Sequence, residues 1–145
     1  MALRVAEEVC MGTIVVGYVP SPEGEAALDR AVDEAQLRGS SLLVVNSQRG
    51  GRTADYHEVA LTNEQVQDIH DRLHAAGIEH DVRGLIRGKD PADDLVAIAD
   101  EESAEMIVIG LRRRTPVGKL IMGSNAQRIL LDASCPVLAV KRAED

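Results

Sequence analysis

Short apolar runs alternate with segments of helical periodicity along this chain, and the alternation limits the folds it can adopt. The first run, TIVVGYV at residues 13–19, is nearly continuous and rich in β-branched residues, as in strands buried on both faces of a parallel sheet. Similar runs predict four further strands, at residues 41–47, 79–86, 106–109 and 136–140. We therefore expect a single-domain α/β protein, a three-layer sandwich with helices on both faces of a five-stranded parallel sheet.

Capping and stop signals mark the helices between these strands. Ser21 is a suitable N-cap for the first helix, and Gly39 supplies its C-terminal stop. Thr62 and Gln65 have the spacing of a capping box, which predicts the start of a second helix. Asp90, followed by proline, begins a third helix.

The segment from Met106 to Leu131 combines the fourth strand, a loop with glycines and arginines, and a fourth helix. It contains five basic residues and no acidic one, whereas the rest of the chain contains 11 basic and 24 acidic residues. The basic residues are Arg112, Arg113, Arg114, Lys119 and Arg128. A glycine loop that leads into a helix offers free backbone N–H groups and the positive end of the helix dipole. We predict a phosphate-type anion site on this loop; the alternative is a solvated loop whose glycines only turn the chain.

The position of this loop in the predicted sheet supports a binding site. The loop follows the fourth strand, and in open α/β sheets ligands bind beyond the carboxyl ends of the strands. The turn at residues 19–21 lies at the same edge of the sheet if strands one and four are neighbours. Both segments are therefore expected to contribute to one site.

Composition argues against several classes of partner. The chain has neither Trp nor Phe and two Tyr, and its formal net charge is −8, so we expect no nucleic-acid binding. No apolar run approaches the roughly 20 residues of a membrane span, so we expect no membrane insertion. The N-terminal MALRVAEEVC lacks the apolar core of a signal peptide, which predicts a cytoplasmic protein. The two cysteines, Cys10 and Cys135, do not form a metal-ligand spacing or a disulfide framework.

Familiar catalytic and nucleotide motifs are missing from the sequence. The segment Gly118-Lys119-Leu120 lacks the leading glycine and the hydroxyl of a P-loop, and no G-x-S-x-G elbow is present. A dinucleotide glycine fingerprint after the first strand is also missing. Cys135 precedes a buried strand and is interpreted as an inert apolar residue. We therefore predict no catalytic residues and at most slow ATP hydrolysis.

Two groups of polar residues on predicted helices are interpreted as structural. His70 and His74 are four residues apart and could share a helix face, as metal ligands do. However, Asp71 stands where a metalloprotease helix has Glu, and no third ligand is nearby in the sequence, so we predict no metal site. The carboxylates of Asp93 and Asp94 are interpreted as a solvated helix face.

The two least patterned segments are expected to be weakly ordered. Residues 1–10 have no place in the five-strand pattern and are predicted to be an N-terminal extension, with the domain at residues 11–145. Residues 48–61 contain a Gly-Gly pair without periodicity and are predicted to be a loop.

These motifs together resemble the universal stress protein family. The C-terminal part is similar to that family's signature and reads GLRRRTPVGKLIMGSNAQRILLDASCPVLAV. In the signature, a first glycine is followed by two residues and a second glycine. Nine further residues then lead to a third glycine, which is followed by Ser or Thr. Gly110, Gly123 and Ser124 match the first glycine, the third glycine and the hydroxyl. Further matches are IVVGYVPSPEGEAAL at the first strand, GKDP before the third helix and AEMIVIG at the fourth strand. The resemblance covers residues 13–141.

The resemblance implies a Rossmann-like sheet in the order 3-2-1-4-5 and a dimer. One branch of the family binds ATP, with Mg²⁺ expected beside its phosphates, and another branch binds no nucleotide. In the ATP-binding branch the loop glycines and the hydroxyl hold phosphates and ribose, and the end of the second strand meets the base. The candidate nucleotide- or anion-binding residues are Gly110, Arg112, Arg113, Gly123, Ser124, Asn125, Val19, Pro20 and Ser47.

Two positions depart from the motif of the ATP-binding branch. Arg113 replaces the second glycine of the loop, and Val19 stands where those members have an Asp that contacts the nucleotide. Arg113 could fill the space that a phosphate would occupy or, alternatively, provide a charged ligand for it. Arg112 could also provide such a ligand. The valine removes a hydrogen-bond acceptor for the ribose or the base.

The sequence therefore leaves two functions open. The first is a stress-response regulatory protein that binds ATP, AMP or a phosphate-type anion at the glycine loop. The second is a stress-family dimer that binds no nucleotide and acts through protein contacts. In either case the apolar strand at Val137–Val140 lies at an edge of the implied sheet, and we predict a homodimer through this strand.

Overall fold

One parallel sheet forms the middle layer of the fold. The computed structural model describes residues 12–48, 61–86, 90–111 and 123–142. Within these ranges the strand order is β3-β2-β1-β4-β5, and all four pairings are parallel. The strands are β1 (Thr13–Gly17), β2 (Ser41–Gln48), β3 (His80–Ile86), β4 (Met106–Leu111) and β5 (Val137–Lys141). The helices are α1 (Pro22–Arg38), α2 (Asn63–Ala75), α3 (Pro91–Glu101) and α4 (Ser124–Asp132). The predicted fold class and strand order are confirmed.

Two apolar clusters hold the layers together, one on each face of the sheet. Helices α1 and α2 pack with one cluster, and α3 and α4 pack with the other. The central strand β1 contributes to both, because Ile14 and Val16 face the first cluster while Val15 faces the second. None of these three side chains is exposed, which explains the continuous apolar run in the sequence.

The predicted caps determine where the helices begin and end. The Ser21 side chain accepts a hydrogen bond from the backbone N–H of Gly24 at 3.1 Å, and Gly39 ends α1 in the left-handed conformation, with φ of 68°. The Thr62 and Gln65 side chains form the expected reciprocal capping box. Each of these predictions is confirmed.

The end of β1 differs slightly from the prediction. The sequence favours a strand over residues 13–19, but regular pairing ends at Gly17. The Tyr18 N–H still donates to the carbonyl of Val45 at 2.9 Å, and Ser21 N–H then donates to the carbonyl of Val19 at 2.8 Å. The chain therefore turns two residues earlier than the apolar pattern indicates, which places Val19 in the turn.

Several predictions concern residues outside the described ranges. They include the N-terminal extension at residues 1–10, most of the loop at 48–61, and the arginines of the basic loop, Arg112, Arg113 and Arg114. Among the helices that the structure describes, none combines the length and the apolar character needed to cross a membrane.

Candidate functional site

A cleft of about 200 Å³ opens where the strands β2, β1 and β4 reach their carboxyl ends. Its walls come from these strand ends, from the first turns of α1 and α3, and from α4. The lining residues that the argument uses are Val19, Gly24, Ser47, Gly110, Asn125 and Ala126. This is the edge of an open parallel sheet at which ligands bind in α/β proteins.

The first turn of α1 lies directly against the end of β4 and forms one wall of the cleft. A Cβ atom on Gly110 would overlap the backbone carbonyl of Glu23, and a Cβ atom on Gly24 would overlap the carbonyl of Val19. Glycine is therefore required at both positions for steric reasons.

The N-terminus of α4 provides the positive end of the cleft. The N-cap residue is Gly123, which has no side chain to satisfy the first N–H groups of the helix. Such groups have no partner within the helix, and they carry the positive end of its dipole. Asn125 and Ala126, at the second and third positions of α4, line the cleft. The arrangement suits a phosphate or another small anion.

A hydrogen bond joins Ser47, a residue of β2 that lines the cleft, to helix α3. The Ser47 hydroxyl, near the end of β2, donates to Oδ2 of Asp94 at 2.6 Å. Asp94 belongs to the first turns of α3 and is 0% exposed. The interpretation of this aspartate as part of a solvated face is wrong, because it lies four residues before Ile98 and one before Leu95, on the buried side of the helix. Its neighbour Asp93 is exposed, as expected.

An ion-pair cluster connects the two helices that flank the cleft on this face of the sheet. Nη1 of Arg128 on α4 lies 3.3 Å from Oδ2 of Asp93 and 3.6 Å from Oδ2 of Asp90 at the start of α3. All three groups are at least partly exposed, so the pairs contribute little to stability. They hold Arg128 next to two carboxylates. Within the described residues of the segment from Met106 to Leu131, Arg128 is the basic one.

A second hollow lies beside the cleft and contains Pro20. It is lined by Tyr18, Pro20, Glu25 and Arg72, among others. Burial and the hydrogen bond to the Glu25 carboxylate raise the pKa of Tyr18 far above its usual value, so this hydroxyl stays a neutral donor. The Arg72 guanidinium donates to Glu25 at 2.8 Å and connects α2 to α1. This hollow is thus built from ion pairs that belong to the fold.

Residues 11–141 match the model of the universal stress protein family. The chain belongs to this family. It is 41% identical over 128 residues to a universal stress protein of Mycolicibacterium smegmatis, a match that covers 88% of this chain and 96% of that protein.

Two solved structures of universal stress proteins share the fold and hold adenine nucleotides. The first, the universal stress protein from Archaeoglobus fulgidus in complex with dAMP, is 34% identical with a TM-score of 0.69 and covers 90% of this chain and 98% of that chain. The second, a universal stress protein in complex with cAMP, is 25% identical with a TM-score of 0.67. This match covers 92% of this chain and 98% of that chain.

The structure brings together most of the candidate residues implied by the family resemblance. Val19, Ser47, Gly110 and Asn125 line the cleft, although they come from four different segments of the chain. Gly123 and Ser124 immediately precede Asn125 at the start of α4. Pro20 lines the neighbouring hollow instead. Arg112 and Arg113 lie outside the described residues.

His70, one of the two histidines interpreted as structural, contacts a histidine outside its own helix. Nδ1 of His70 lies 2.8 Å from Nε2 of His80, and Nδ1 of His80 lies 2.8 Å from the carbonyl oxygen of Ile78. His70 therefore pairs with a residue on β3, not with His74 on its own helix. Within the part of the chain that the structure describes, no three potential ligands cluster for a metal ion.

Proposed function

We propose that this universal stress protein binds an adenine nucleotide in the cleft and acts as a stress-response regulator through that binding. The observation that carries the proposal is the N-terminus of α4, capped only by Gly123 and lying beside the cleft. It offers N–H donors and a positive dipole to a phosphate. The dAMP and cAMP complexes of related family members support an adenine nucleotide as the ligand.

The ligands of the two related complexes favour a ligand with one phosphate over ATP. Both of these related ligands carry a single phosphate group. A triphosphate carries a higher negative charge, and the formal net charge of this chain is already −8. ATP would need Mg²⁺ to offset this charge. We therefore propose AMP-type ligands first and Mg²⁺-ATP second.

We expect weaker binding than in family members with the complete motif. Val19 lines the cleft at the position where the ATP-binding branch has Asp, and a valine side chain offers no hydrogen-bond acceptor. One charge-assisted hydrogen bond contributes roughly 1.5–3 kcal/mol. Its loss corresponds to an affinity lower by about tenfold to a hundredfold.

Asn125→Asp should weaken AMP binding by about tenfold without destabilising the fold. The exchange keeps the size of the side chain but places a carboxylate at the second position of α4, on the cleft wall. A negative charge there stabilises the helix through its dipole and repels a phosphate at the same place. Calorimetric titration with AMP at low ionic strength measures the change.

The matched control is Gln127→Glu, which makes the same amide-to-carboxylate exchange on the same helix. Gln127 is exposed and lies outside the lining of the cleft, so its variant should bind AMP within about twofold of the wild type. If both variants weakened AMP binding equally, the loss would come from the net charge of the protein and not from the position of the carboxylate. If the wild type binds neither AMP, Mg²⁺-ATP nor inorganic phosphate, the proposal fails and the alternative, a dimer acting through protein contacts, takes its place.

We also propose a homodimer through β5, because the two edges of the sheet differ in character. The edge strand β3 carries the charged residues Asp81 and Arg83, which discourage pairing with another strand. The edge strand β5 carries the uncharged run Val137–Val140, and all four residues remain partly exposed in the single chain. An apolar edge of this kind favours pairing with a second copy of itself.

Leu138→Lys should convert this dimer into a monomer. A lysine in the middle of β5 would place two like charges close together across a two-fold axis. Light scattering at micromolar concentration measures the mass, and Leu37→Lys on the far end of α1 is the control, since Leu37 is already exposed. A wild-type monomer contradicts the proposal. A dimer that survives Leu138→Lys while circular dichroism shows the fold intact places the interface elsewhere.

A further inference from the structure

A hydrogen bond between two histidines joins α2 to the edge strand β3, and its donor can be assigned. Nδ1 of His80 lies 2.8 Å from the carbonyl oxygen of Ile78, which only accepts, so this nitrogen carries a proton. A neutral imidazole has one N–H, so Nε2 of neutral His80 has a lone pair. Nδ1 of His70, 2.8 Å from that nitrogen, must then be the donor. When both rings are neutral, each therefore carries its proton on Nδ1.

The number of protons on the two rings decides whether this bond can form. One additional proton is compatible with it, since Nε2 of His70 can take the proton while Nδ1 still donates. With two additional protons all four ring nitrogens carry hydrogen, and the facing nitrogens of His70 and His80 would both be donors. The ring centroids are 4.9 Å apart, so two positive charges would also repel each other at short range. The bond is therefore lost when both rings are charged.

The charged groups on α2 and β3 do not offset a second positive charge at this pair. Asp71 follows His70, but its carboxylate accepts a hydrogen bond from a glutamine one turn earlier at 3.0 Å. Side chains alternate along β3, so Asp81 lies on the face opposite His80. Arg83 lies on that opposite face too, where it pairs with a glutamate at the end of α3. Two further titratable side chains next to the pair are exposed, those of His74 and Glu79.

The elements that pack beside α2 and β3 add no counter-charge either. The residue opposite His80 on β2 is a leucine. On α1, Glu25 and Asp29 are both paired with Arg72, and Asp33 is exposed. Within the described residues, neither ring of the pair forms an ion pair with a carboxylate. A second charge on the pair would therefore remain uncompensated.

We propose that the His70–His80 pair makes the attachment of α2 to β3 sensitive to acid, so that the contact holds with at most one charged ring and loosens with two. Ile69 and Leu73 keep the helix on the sheet through apolar contacts, so the domain stays folded. The unfolded chain separates the two rings and binds both protons near the ordinary imidazole pKa of about 6.5. The paired rings bind one proton fewer, so the stability falls as the pH falls through this range. The device does not depend on nucleotide binding.

Urea unfolding of the wild type and of His70→Gln at about pH 7.5 and about pH 5.5 tests the pair. In the wild type, the proton that the paired rings cannot bind should raise the unfolding equilibrium constant by about tenfold at the lower pH, which is about one unit below the ordinary imidazole pKa. His70→Gln removes one titrating ring, and its amide can donate to Nε2 of neutral His80 or accept from the charged ring. The rise between the two pH values should therefore be about tenfold smaller in this variant than in the wild type.

The matched control is His74→Gln, which makes the same exchange one turn further along the same helix. His74 is exposed, so its ring binds protons almost equally well in the folded and the unfolded chain. The rise in this variant should stay within about twofold of the wild type. An equal reduction by both variants, or no reduction by His70→Gln, would overturn the inference.

Histidine side-chain NMR of the wild type gives a second measurement that needs no variant. At about pH 8 the rings of His70 and His80 should both carry their proton on Nδ1. As the pH falls, the two rings should take up protons in two separate steps, whereas His74 titrates in one. Proton uptake by both rings in a single common step would overturn the inference, even if His70→Gln did not fold.

Discussion

Gly110→Ala is expected to lower the free energy of unfolding by about 3 kcal/mol, the upper end of the usual cost of overpacking. The added Cβ would overlap the backbone carbonyl of Glu23, and a backbone atom at the start of a capped helix cannot move aside as a flexible side chain can. Either α1 shifts away from β4 or the end of β4 is displaced. Urea denaturation at a fixed protein concentration measures the change in stability.

Gly84→Ala is the control for this substitution. Gly84 also lies in a strand, but a Cβ atom there would have no other atom within 4 Å. Alanine at such a site changes stability by less than about 1 kcal/mol and tends to stabilise, because it restricts the unfolded chain. Similar stabilities for the Gly110 and Gly84 variants would show that the first turn of α1 yields easily.

This steric requirement changes how the glycine motif of the family should be read in this chain. Gly110 matches the first glycine of the motif, and the resemblance assigns it to nucleotide binding. The structure gives it a second role, since it allows α1 to approach β4 and so shapes the wall formed by Glu23 and Gly24. Weaker nucleotide binding by a Gly110 variant would therefore not by itself establish a phosphate contact.

Local signals in the sequence were sufficient to predict the helices and strands of the fold. The β-branched run at β1, the cap at Ser21 and the capping box of Thr62 and Gln65 each act within a few residues of the chain, so the pattern contains the physical cause. The strand order came from the family resemblance, because no local pattern specifies which strands become neighbours. The structure confirms that order.

The hydrogen bond between Ser47 and Asp94 could not be read from the sequence in the same way. Asp94 looked like one half of an exposed acidic pair, and its burial depends on a donor 47 residues earlier, on a strand that packs beneath α3. The one available signal was its position on the apolar stripe of the helix with Leu95 and Ile98. The partner of His70 was missed for the same reason, since His80 comes from β3.

Leu28→Ala is expected to lower the free energy of unfolding by about 3 kcal/mol, within the usual range for a buried leucine. Leu28 lies on the inner face of α1 and is 0% exposed, in the cluster that joins α1 and α2 to the sheet. Truncation removes apolar contact and leaves a cavity that the surrounding strands can fill only partly. Urea denaturation with the slope held common to wild type and variant gives the difference.

Leu37→Ala provides a control on the same helix with the same chemistry. Leu37 is 81% exposed, so its truncation removes little buried surface and should change stability by less than about 0.5 kcal/mol. Both variants replace leucine by alanine in the same helix, so the change in helix propensity is the same in both. The difference between their free energies of unfolding therefore reports the burial of the side chain. A small effect at Leu28 would mean that α1 is held mainly by the contacts of its first turn with β4, and in that case Gly110→Ala should be the more damaging of the two substitutions.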